Sequence, residues 1–335
     1  DTMTDAELDK LRDGIRARDR RALARSITLL ESTRSSHRDQ AESLLTALLP
    51  DVGKSFRIGI TGVPGVGKST FIETLGLKAI EAGHRVAVLT VDPTSVVSGG
   101  SILGDKTRME KLSSHANAFV RPSPSGGSPG GVARRTRESI YLCEAAGYDY
   151  VIVETVGVGQ SELRVAQMTD FFLLLILPAS GDELQGIKRG VMELADLILV
   201  NKADDDLQNA ARRTVSSYTQ AVRLMQPRVG GWQVPVLAVS ALRDQGISET
   251  LDILAKFQTQ YMESGLTEEY RAEQSRHWLR QEVSDGLIDL CQQDPVIAAR
   301  LKTLENDVKA GRVVATVAAR QLVSEIAQRR GNTQS

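Results

Sequence analysis

The chain has 335 residues, and its 41 lysines and arginines nearly balance its 42 aspartates and glutamates, which gives a formal net charge of −1. This length is enough for two or three domains, and the balanced charge does not favour nucleic acid as a partner. No apolar run approaches the roughly 20 residues of a membrane-spanning helix, so no membrane association is expected. Only Cys143 and Cys291 are present, which excludes a disulfide framework and a paired-cysteine metal site. Together with the polar N-terminus, this cysteine usage predicts a cytoplasmic location.

Residues 1–54 have a helical pattern and are predicted to form an N-terminal helical extension. Residues 4–7 have the sequence Thr-Asp-Ala-Glu, which is typical of a helix N-cap followed by an acidic first turn. The arginine-rich stretch from Arg16 to Arg25 is expected to lie on a solvated helix face. Pro50 and Gly53 then end the extension, because both residue types favour turns.

Residues 55–260 alternate between short apolar runs and helical patterns, such as those predicted over residues 70–82 and 136–146. Because several runs are apolar at nearly every position, we expect a doubly wound, mainly parallel α/β sheet that is covered on both faces. Arg134, Arg135 and Arg137 suit contact with a phosphate, contact with a partner or a solvated helix face, and we expect the solvated face. The predicted strands are residues 56–60, 86–91, 118–120, 150–154, 171–177, 197–200 and 236–239.

A complete P-loop motif, G-x-x-x-x-G-K-S, spans residues 62–69, between the first predicted strand and a predicted helix. Its glycines allow the backbone to wrap closely round a phosphate, and the N–H groups and dipole of the following helix favour the negative charge. Lys68 is expected to reach the β- and γ-phosphates, and the Ser69 hydroxyl is expected to bind Mg²⁺. The residues predicted to contact the nucleotide here are Gly62, Pro64, Gly65, Val66, Gly67, Lys68, Ser69 and Thr70.

Three acidic residues are predicted to lie near the metal ion together with Ser69. Asp92 ends the second predicted strand, Asp105 lies in the polar, glycine-rich segment after it, and Glu154 ends the fourth strand. Many P-loop GTPases have Asp-x-x-Gly where this chain has Glu-Thr-Val-Gly, and the N–H of that glycine, here Gly157, meets the γ-phosphate. Glu154 is one methylene longer than Asp, so two roles stay open for it, in the metal shell or in orienting the attacking water.

Two further motifs predict that the base is guanine. Asn201, Lys202 and Asp204 form an Asn-Lys-x-Asp motif directly after an apolar strand. The Asp204 carboxylate can accept from guanine N1–H and N2–H₂ together, whereas adenine lacks both donors and would leave the carboxylate unpaired. The Lys202 stem can pack along the base. The run Ser240-Ala241-Leu242 follows the last strand and matches the loop whose backbone meets guanine O6, so GTP and GDP are the predicted ligands.

Residues 261–335 are predicted to form a C-terminal helical arm. Asp294 and Pro295 predict an N-cap followed by proline at the first helical position. Apolar residues then keep helical spacing up to Gly311, and again from about Val313 to Arg329. The apolar faces of these helices either pack on their own domain or join subunits, and we expect a homodimer arm because closed two-fold dimers are the commonest soluble assembly.

The motifs of this chain closely resemble those of the MeaB family, which includes the human counterpart MMAA and proteins with the older ArgK label. That family consists of P-loop GTPases that act as chaperones of methylmalonyl-CoA mutase. The resemblance extends over essentially the whole chain. The segments that carry it are GVPGVGKS (62–69), VDPTS (91–95), GDKTRM (104–109), RPSP (121–124), VETVGVGQSE (153–162) and NKAD (201–204).

This resemblance implies a GTP-hydrolysing chaperone that gates adenosylcobalamin loading into the mutase and protects or reactivates the mutase. It also implies three switch segments, at residues 92–108, 154–160 and 177–188, with the third at the mutase interface. Lys188 would there help to organise the γ-phosphate site, so the predicted catalytic residues are Lys68, Asp105, Glu154 and Lys188. Hydrolysis is expected to be slow without a partner. One alternative is a P-loop kinase, as the ArgK label implies. A second is a metal-insertion GTPase, a class that tends to carry the His- or Cys-rich segments that this chain lacks. A third is a structural adapter that binds the nucleotide without hydrolysing it, against which the acidic residues Asp92, Asp105 and Glu154 argue.

Overall fold

A computed structural model describes residues 3–32, 34–91, 109–122, 129–156, 161–178 and 189–332. The chain divides into two compact units, Asp1–Glu268 and Glu269–Ser335. Within the described residues, no helix combines the length and the apolar composition that crossing a membrane requires. The three-part division at residues 54 and 260 stays a prediction.

The predicted helical character of both ends of the chain is confirmed. Thr4 accepts from the backbone N–H of Glu7, whose side chain bonds back to Thr4, so the predicted N-cap is a complete capping box. Asp294 caps the helix that begins at Pro295, as predicted. The helices are α1 (Asp5–Arg16), α2 (Arg20–Glu31), α3 (Ser35–Leu48), α4 (Lys68–Glu81), α5 (Glu110–Ser114), α6 (Pro129–Ala145), α7 (Ser161–Ala166), α8 (Arg189–Leu194), α9 (Gln208–Arg223), α10 (Ile247–Phe257), α11 (Leu266–Gln293), α12 (Pro295–Lys309) and α13 (Ala315–Asn332).

All seven predicted strands are confirmed, and they form one parallel sheet in the order β3-β2-β4-β1-β5-β6-β7. The central strand β1 extends beyond its predicted end because Gly62 still pairs with Leu175 of β5. Since every strand runs in the same direction, the loops that follow the strands meet at one edge of the sheet. The strands are β1 (Phe56–Gly62), β2 (Val86–Val91), β3 (Ala118–Arg121), β4 (Tyr150–Thr155), β5 (Phe171–Ile176), β6 (Leu197–Val200) and β7 (Val236–Ala238).

Helices cover both faces of the sheet. On β5, Leu173 and Leu175 pack into one core cluster with residues of α4 and α10, whereas Leu174 and Ile176 pack into a second cluster with residues of α8 and α9. Successive side chains of a strand point to opposite faces, so a strand with a core on both sides is apolar throughout. The predicted doubly wound α/β architecture is therefore confirmed.

Helix α6 differs from its prediction in two respects. It begins at Pro129 rather than near residue 136, because proline is well tolerated in a first helical turn, where its missing N–H has no partner to lose. The solvated face predicted for Arg135 and Arg137 is wrong, since their side chains are only 8% and 7% exposed. Helices α2 and α3 pack on α6, which also packs on β2, so α6 is enclosed from two sides.

Two arginines tie the N-terminal helices to the sheet region. Arg20 of α2 donates to the carbonyl oxygens of Ser113 and His115, at 2.9 and 3.2 Å, where α5 ends. Arg121, at the end of β3, forms an ion pair with Glu31 of α2. The extension is thus fixed by polar contacts as well as by its packing on α6.

A buried ion pair joins the start of β1 to the end of α6. Arg57 Nε lies 2.7 Å from Glu144 Oε1, and the two side chains are 4% and 0% exposed. Burial acts to raise the pKa of Glu144, but Arg57 and donors from Ser55 and Gly53 outweigh it, so the pKa lies below its usual value. Breaking such a pair costs about 3–5 kcal/mol because an unpaired charge stays buried. The pair therefore holds α6 to the sheet at the edge opposite the P-loop.

Candidate nucleotide-binding site

The P-loop connects β1 to α4, and two of its glycines are required by the local geometry. A Cβ on Gly62 would lie 2.7 Å from the carbonyl oxygen of Leu175 on the neighbouring strand. Gly67 has a φ of +91°, and a Cβ there would lie 2.9 Å from Asn201 Nδ2. Because bulkier residues would displace the loop from both neighbours, the glycines set its position against β5 and the loop after β6.

The P-loop directs hydrogen-bond donors towards the space at the start of α4. Gly67 precedes α4 and has no side chain with which to cap it, so the first N–H groups of the helix are suited to an anion. Lys68 Nζ lies 2.7 Å from the carbonyl oxygen of Gly62, across the loop. Ser69 is half-buried in the first turn, whereas Pro64 and Thr70 are exposed. The N–H groups at the start of α4 and the Lys68 ammonium group therefore lie close to the same loop.

Asn201 connects the P-loop to the loop after β7. Its amide Nδ2 donates to the carbonyl oxygen of Val66 at 2.8 Å, and its Oδ1 accepts from the N–H of Ala241 at 3.1 Å. Lys202 Nζ donates to the carbonyl oxygen of Gly65 at 2.8 Å. Three predicted binding segments that are far apart in sequence therefore meet in space.

The side chain of Ser240 positions the carboxylate of Asp204. Ser240 Oγ donates to Asp204 Oδ2 at 2.5 Å and accepts from the N–H of Arg243 at 3.2 Å. Ser240 is buried, whereas the neighbouring Leu242 is 78% exposed. Only a backbone role was predicted for Ser240, because the pairing of two distant loops leaves no local sequence signal for this contact.

Glu154 is buried at the end of β4 with an exposed fraction of 3%. Its Oε1 accepts from the hydroxyl of Thr90 on β2 at 2.9 Å. Glu154 pairs in register with Ile60 of β1, close to the point where the P-loop begins. This position agrees with a role beside the phosphates. The supporting residue Thr90 was not predicted, because its contact with Glu154 joins two strands that are 64 residues apart in the chain.

Four predicted site residues, Asp92, Asp105, Gly157 and Lys188, lie outside the described residues. Of the four predicted metal ligands, the described residues therefore include Ser69 and Glu154. Among the residues that the structure describes, no three His, Cys, Asp or Glu side chains are grouped closely enough to hold a metal ion. The proposed magnesium site therefore depends on Asp92 and Asp105 as further ligands.

Known proteins are similar to this chain over most of its length. Residues 23–295 match the family described as "Methylmalonyl Co-A mutase-associated GTPase MeaB". A probable GTPase of Mycobacterium tuberculosis, Rv1496, is 50% identical over 319 residues, which are 95% of this chain and 95% of that protein. The mouse protein named "Methylmalonic aciduria type A homolog, mitochondrial" is 45% identical over 314 residues, with 91% of this chain and 76% of the mouse protein covered.

A solved structure agrees with the fold. The crystal structure of a protein named LAO/AO transport system kinase superposes with a TM-score of 0.78 at 36% identity, and covers 98% of this chain and 100% of its own. The range that matches the family, residues 23–295, includes the P-loop and the Asn201–Asp204 motif of this chain. The chain therefore belongs to the MeaB family of methylmalonyl-CoA mutase-associated GTPases, and it is a GTPase.

Proposed function

We propose that the chain is a chaperone of methylmalonyl-CoA mutase that gates adenosylcobalamin loading and protects or reactivates the mutase. The family description and the name of the mouse relative support this client. The main support for guanine-nucleotide binding is a pair of hydrogen bonds made by the Asn201 side chain. One is to Val66 of the P-loop and the other is to Ala241 of the loop after β7. That bridge supports a phosphate subsite and a base subsite at one edge of the sheet.

The phosphate subsite is assigned to residues 62–70. The N–H groups at the start of α4 and the positive end of its dipole favour the phosphate oxygens. On nucleotide binding, the Lys68 ammonium exchanges the Gly62 carbonyl for the β- and γ-phosphates. We further assign the N–H of Gly157 to the γ-phosphate.

The donors at this subsite fit Mg²⁺. The Ser69 hydroxyl and the Glu154 carboxylate are hard oxygen ligands, the class that Mg²⁺ prefers, and Asp92 and Asp105 are proposed to complete the set. When bound, Mg²⁺ neutralises charge on the phosphate oxygens. Thr90 donates to Glu154 and thereby fixes the direction of its carboxylate. That carboxylate acts in the metal shell or orients the attacking water, and Asp105 and Lys188 are proposed to support hydrolysis.

The base subsite is assigned to the loops after β6 and β7. The Asp204 carboxylate accepts from guanine N1–H and N2–H₂, and Ser240 holds it in place. The stem of Lys202 packs along the base, and the backbone of residues 240–242 meets guanine O6. Adenine offers neither of the two donors, so the site discriminates against ATP.

Steady-state GTP hydrolysis with Mg²⁺, measured with and without purified methylmalonyl-CoA mutase, tests the proposed client. We expect stimulation of about tenfold or more, which corresponds to about 1.4 kcal/mol off the barrier. The physical reason is that partners of P-loop GTPases commonly supply or organise positive charge at the γ-phosphate. An unchanged rate, with no complex seen in sedimentation, would show that the mutase is not the client.

Lys188→Ala is the variant matched to that experiment. We expect the mutase-stimulated rate to fall much more than the basal rate, because Lys188 is proposed to act when the mutase docks. Lys256→Ala, on the exposed side of α10, removes the same charge from the same unit and serves as the control. Equal loss of both rates in Lys188→Ala would make this lysine a basal catalytic residue.

Phosphate transfer to a second molecule is the alternative that the name of the solved relative keeps open. The two functions differ in the acceptor, which is water for a GTPase and a hydroxyl or guanidine group for a kinase. Reaction with GTP labelled at the γ-phosphate distinguishes them, since label on any acceptor other than water would favour the kinase.

The proposed assembly is a homodimer joined through the C-terminal helices. Large apolar side chains on α11 recur at a spacing of three or four residues and so share one face. Their exposed fractions of 51–65% support a face that a second copy covers. These residues are Leu279, Val283, Leu287 and Leu290.

Sedimentation velocity tests the dimer. We expect the wild-type chain to sediment as a dimer and Leu287→Asp to shift towards the monomer, because a charge in an apolar interface would be buried without a partner. Leu224→Asp, at a leucine that is 88% exposed after α9, is the control. A wild-type monomer at micromolar concentration would contradict the proposed arm.

The proposed location is the cytoplasm. Cys143 and Cys291 are both free thiols, and Cys143 is buried. Free thiols are typical of reducing compartments. Recovery of the native protein outside the cytoplasmic fraction of its cells would contradict this location.

A further inference from the structure

Helix α4, which begins in the P-loop, also contacts the loop after β7. Thr74 Oγ lies 3.2 Å from the carbonyl oxygen of Ala241 and 2.9 Å from the carbonyl oxygen of Thr70, so its single proton is placed between two acceptors. One turn further along, Lys78 Nζ lies 2.9 Å from Asp244 Oδ2. Residues four apart share one helix face. A single face of α4 therefore meets the base loop, residues 240–245, at two points.

The base loop is also contacted by Asn201, which follows β6. The N–H of Ala241 donates to Asn201 Oδ1, and the carbonyl oxygen of Ala241 faces Thr74. The two peptide groups that flank Ala241 are consequently held by two different elements, the loop after β6 and helix α4. The backbone of Asp244 has a φ of +53°, which is sparsely populated for residues other than glycine. Such a conformation persists when surrounding contacts maintain it, and the Lys78 ion pair is one of them.

We propose that Thr74 and Lys78 are positioning residues for base selection. This inference rests on the proposed base subsite, in which Asp204 reads one edge of guanine and the backbone of the base loop meets O6. The Asp204 carboxylate and the backbone of the base loop must be held at a fixed separation. Misplacement of either by about 1 Å weakens the hydrogen bonds to the base. Asn201 sets the base loop against the P-loop, and α4 sets the same loop against the helix that carries the phosphates. The helix that holds the phosphates thus also sets the position of the base contact.

The test compares three diphosphates by titration calorimetry on the full chain. GDP and IDP both carry O6, whereas 6-thio-GDP replaces O6 with sulfur, a weak acceptor, and keeps N1–H and the N2 amino group. We expect the double variant with Thr74→Val and Lys78→Met to bind GDP and IDP about 3- to 10-fold more weakly, the value of about one hydrogen bond. Its affinity for 6-thio-GDP should stay within about twofold of the wild type, because the contact to O6 is already weak there.

Matched variants separate positioning from a general structural effect. Thr74→Ser keeps the hydroxyl and should retain the wild-type ratio of GDP to 6-thio-GDP affinity. Thr46→Val, on α3, removes a hydroxyl that bonds only the carbonyl oxygen of Glu42 in the hydrogen bonds described, and it controls for the loss of a bond within a helix. Lys78→Met alone, at a partly exposed side chain, keeps the test available if the double variant unfolds.

Equal weakening of all three diphosphates, or no change in any, would overturn the positioning role. The base subsite itself is tested separately with Asp204→Asn. If Asp204→Asn loses guanine preference while Thr74→Val and Lys78→Met leave the affinity ratio unchanged, the subsite stands and the positioning role fails. If Asp204→Asn keeps wild-type preference, the proposed base subsite fails first.

Discussion

The Asp204→Asn variant is expected to bind GDP roughly 10²- to 10⁴-fold more weakly than the wild type, because two hydrogen bonds to a charged acceptor, about 1.5–3 kcal/mol each, are lost. An asparagine amide presents one acceptor and one donor, whereas guanine offers N1–H and N2–H₂ as two donors. Xanthine has a carbonyl at C2 and matches that amide. The variant should therefore prefer XDP to GDP, as measured by competition binding with the two nucleotides.

The contact between Ser240 and Asp204 makes this experiment sensitive to geometry. Ser240 Oγ donates to the carboxylate, so that one oxygen already has a fixed partner before the base arrives. Asp206→Asn is the matched control, because Asp206 is exposed two positions along the chain and undergoes the same chemical change. If Asp204→Asn keeps the wild-type selectivity among GTP, ATP and XTP, the Asp204 carboxylate does not bind the base.

Lys68→Ala is expected to remove most of the affinity for GTP. One charge-assisted hydrogen bond contributes about 1.5–3 kcal/mol, which corresponds to a loss of roughly 10- to 150-fold for each phosphate contact. The substitution also removes the hydrogen bond that Lys68 donates to the carbonyl oxygen of Gly62. Calorimetric titration with GTP and Mg²⁺ measures the effect, and hydrolysis at subsaturating GTP should fall by at least the same factor.

Lys54→Ala provides the control for the loss of a positive charge near β1. Lys54 is exposed and lies shortly before β1, at the edge of the sheet opposite the P-loop. We expect it to bind GTP like the wild type. If Lys68→Ala also keeps wild-type affinity, the phosphates are not held by this loop and the assignment of residues 62–70 is wrong.

Contiguous motifs made much of the site predictable. The P-loop and the Asn201–Asp204 motif are short runs in which spacing alone fixes the order of glycine, lysine and acidic residues. Strands β1, β2, β4, β5 and β6 were equally clear, because each is buried along its whole length and is mostly apolar. The sequence therefore indicated which edge of the sheet would carry the site.

Contacts between distant segments were not predictable from the chain alone. The hydroxyl of Ser240 on Asp204, the hydroxyl of Thr90 on Glu154 and the contact of Thr74 with Ala241 each join elements that are separated by other strands and helices. Their side chains belong to types that usually bond locally, so nothing in their spacing marks them. The burial of Arg135 was missed for the same reason, since it follows from a helix that packs on α6 from another part of the chain.

Shortening the chain to its sheet would leave an apolar face bare. Ile15, Leu23 and Ile27 are fully buried in helices that pack on each other and on α6. A fragment that began at Ser55 would expose the covered side of α6 and leave Arg121 without its partner on α2, and newly bared apolar surface promotes aggregation. A fragment trimmed to the family match would begin at residue 23, inside α2, and would lose α1 altogether. Deletion studies of the nucleotide site therefore need to retain the N-terminal helices from Thr4 onward.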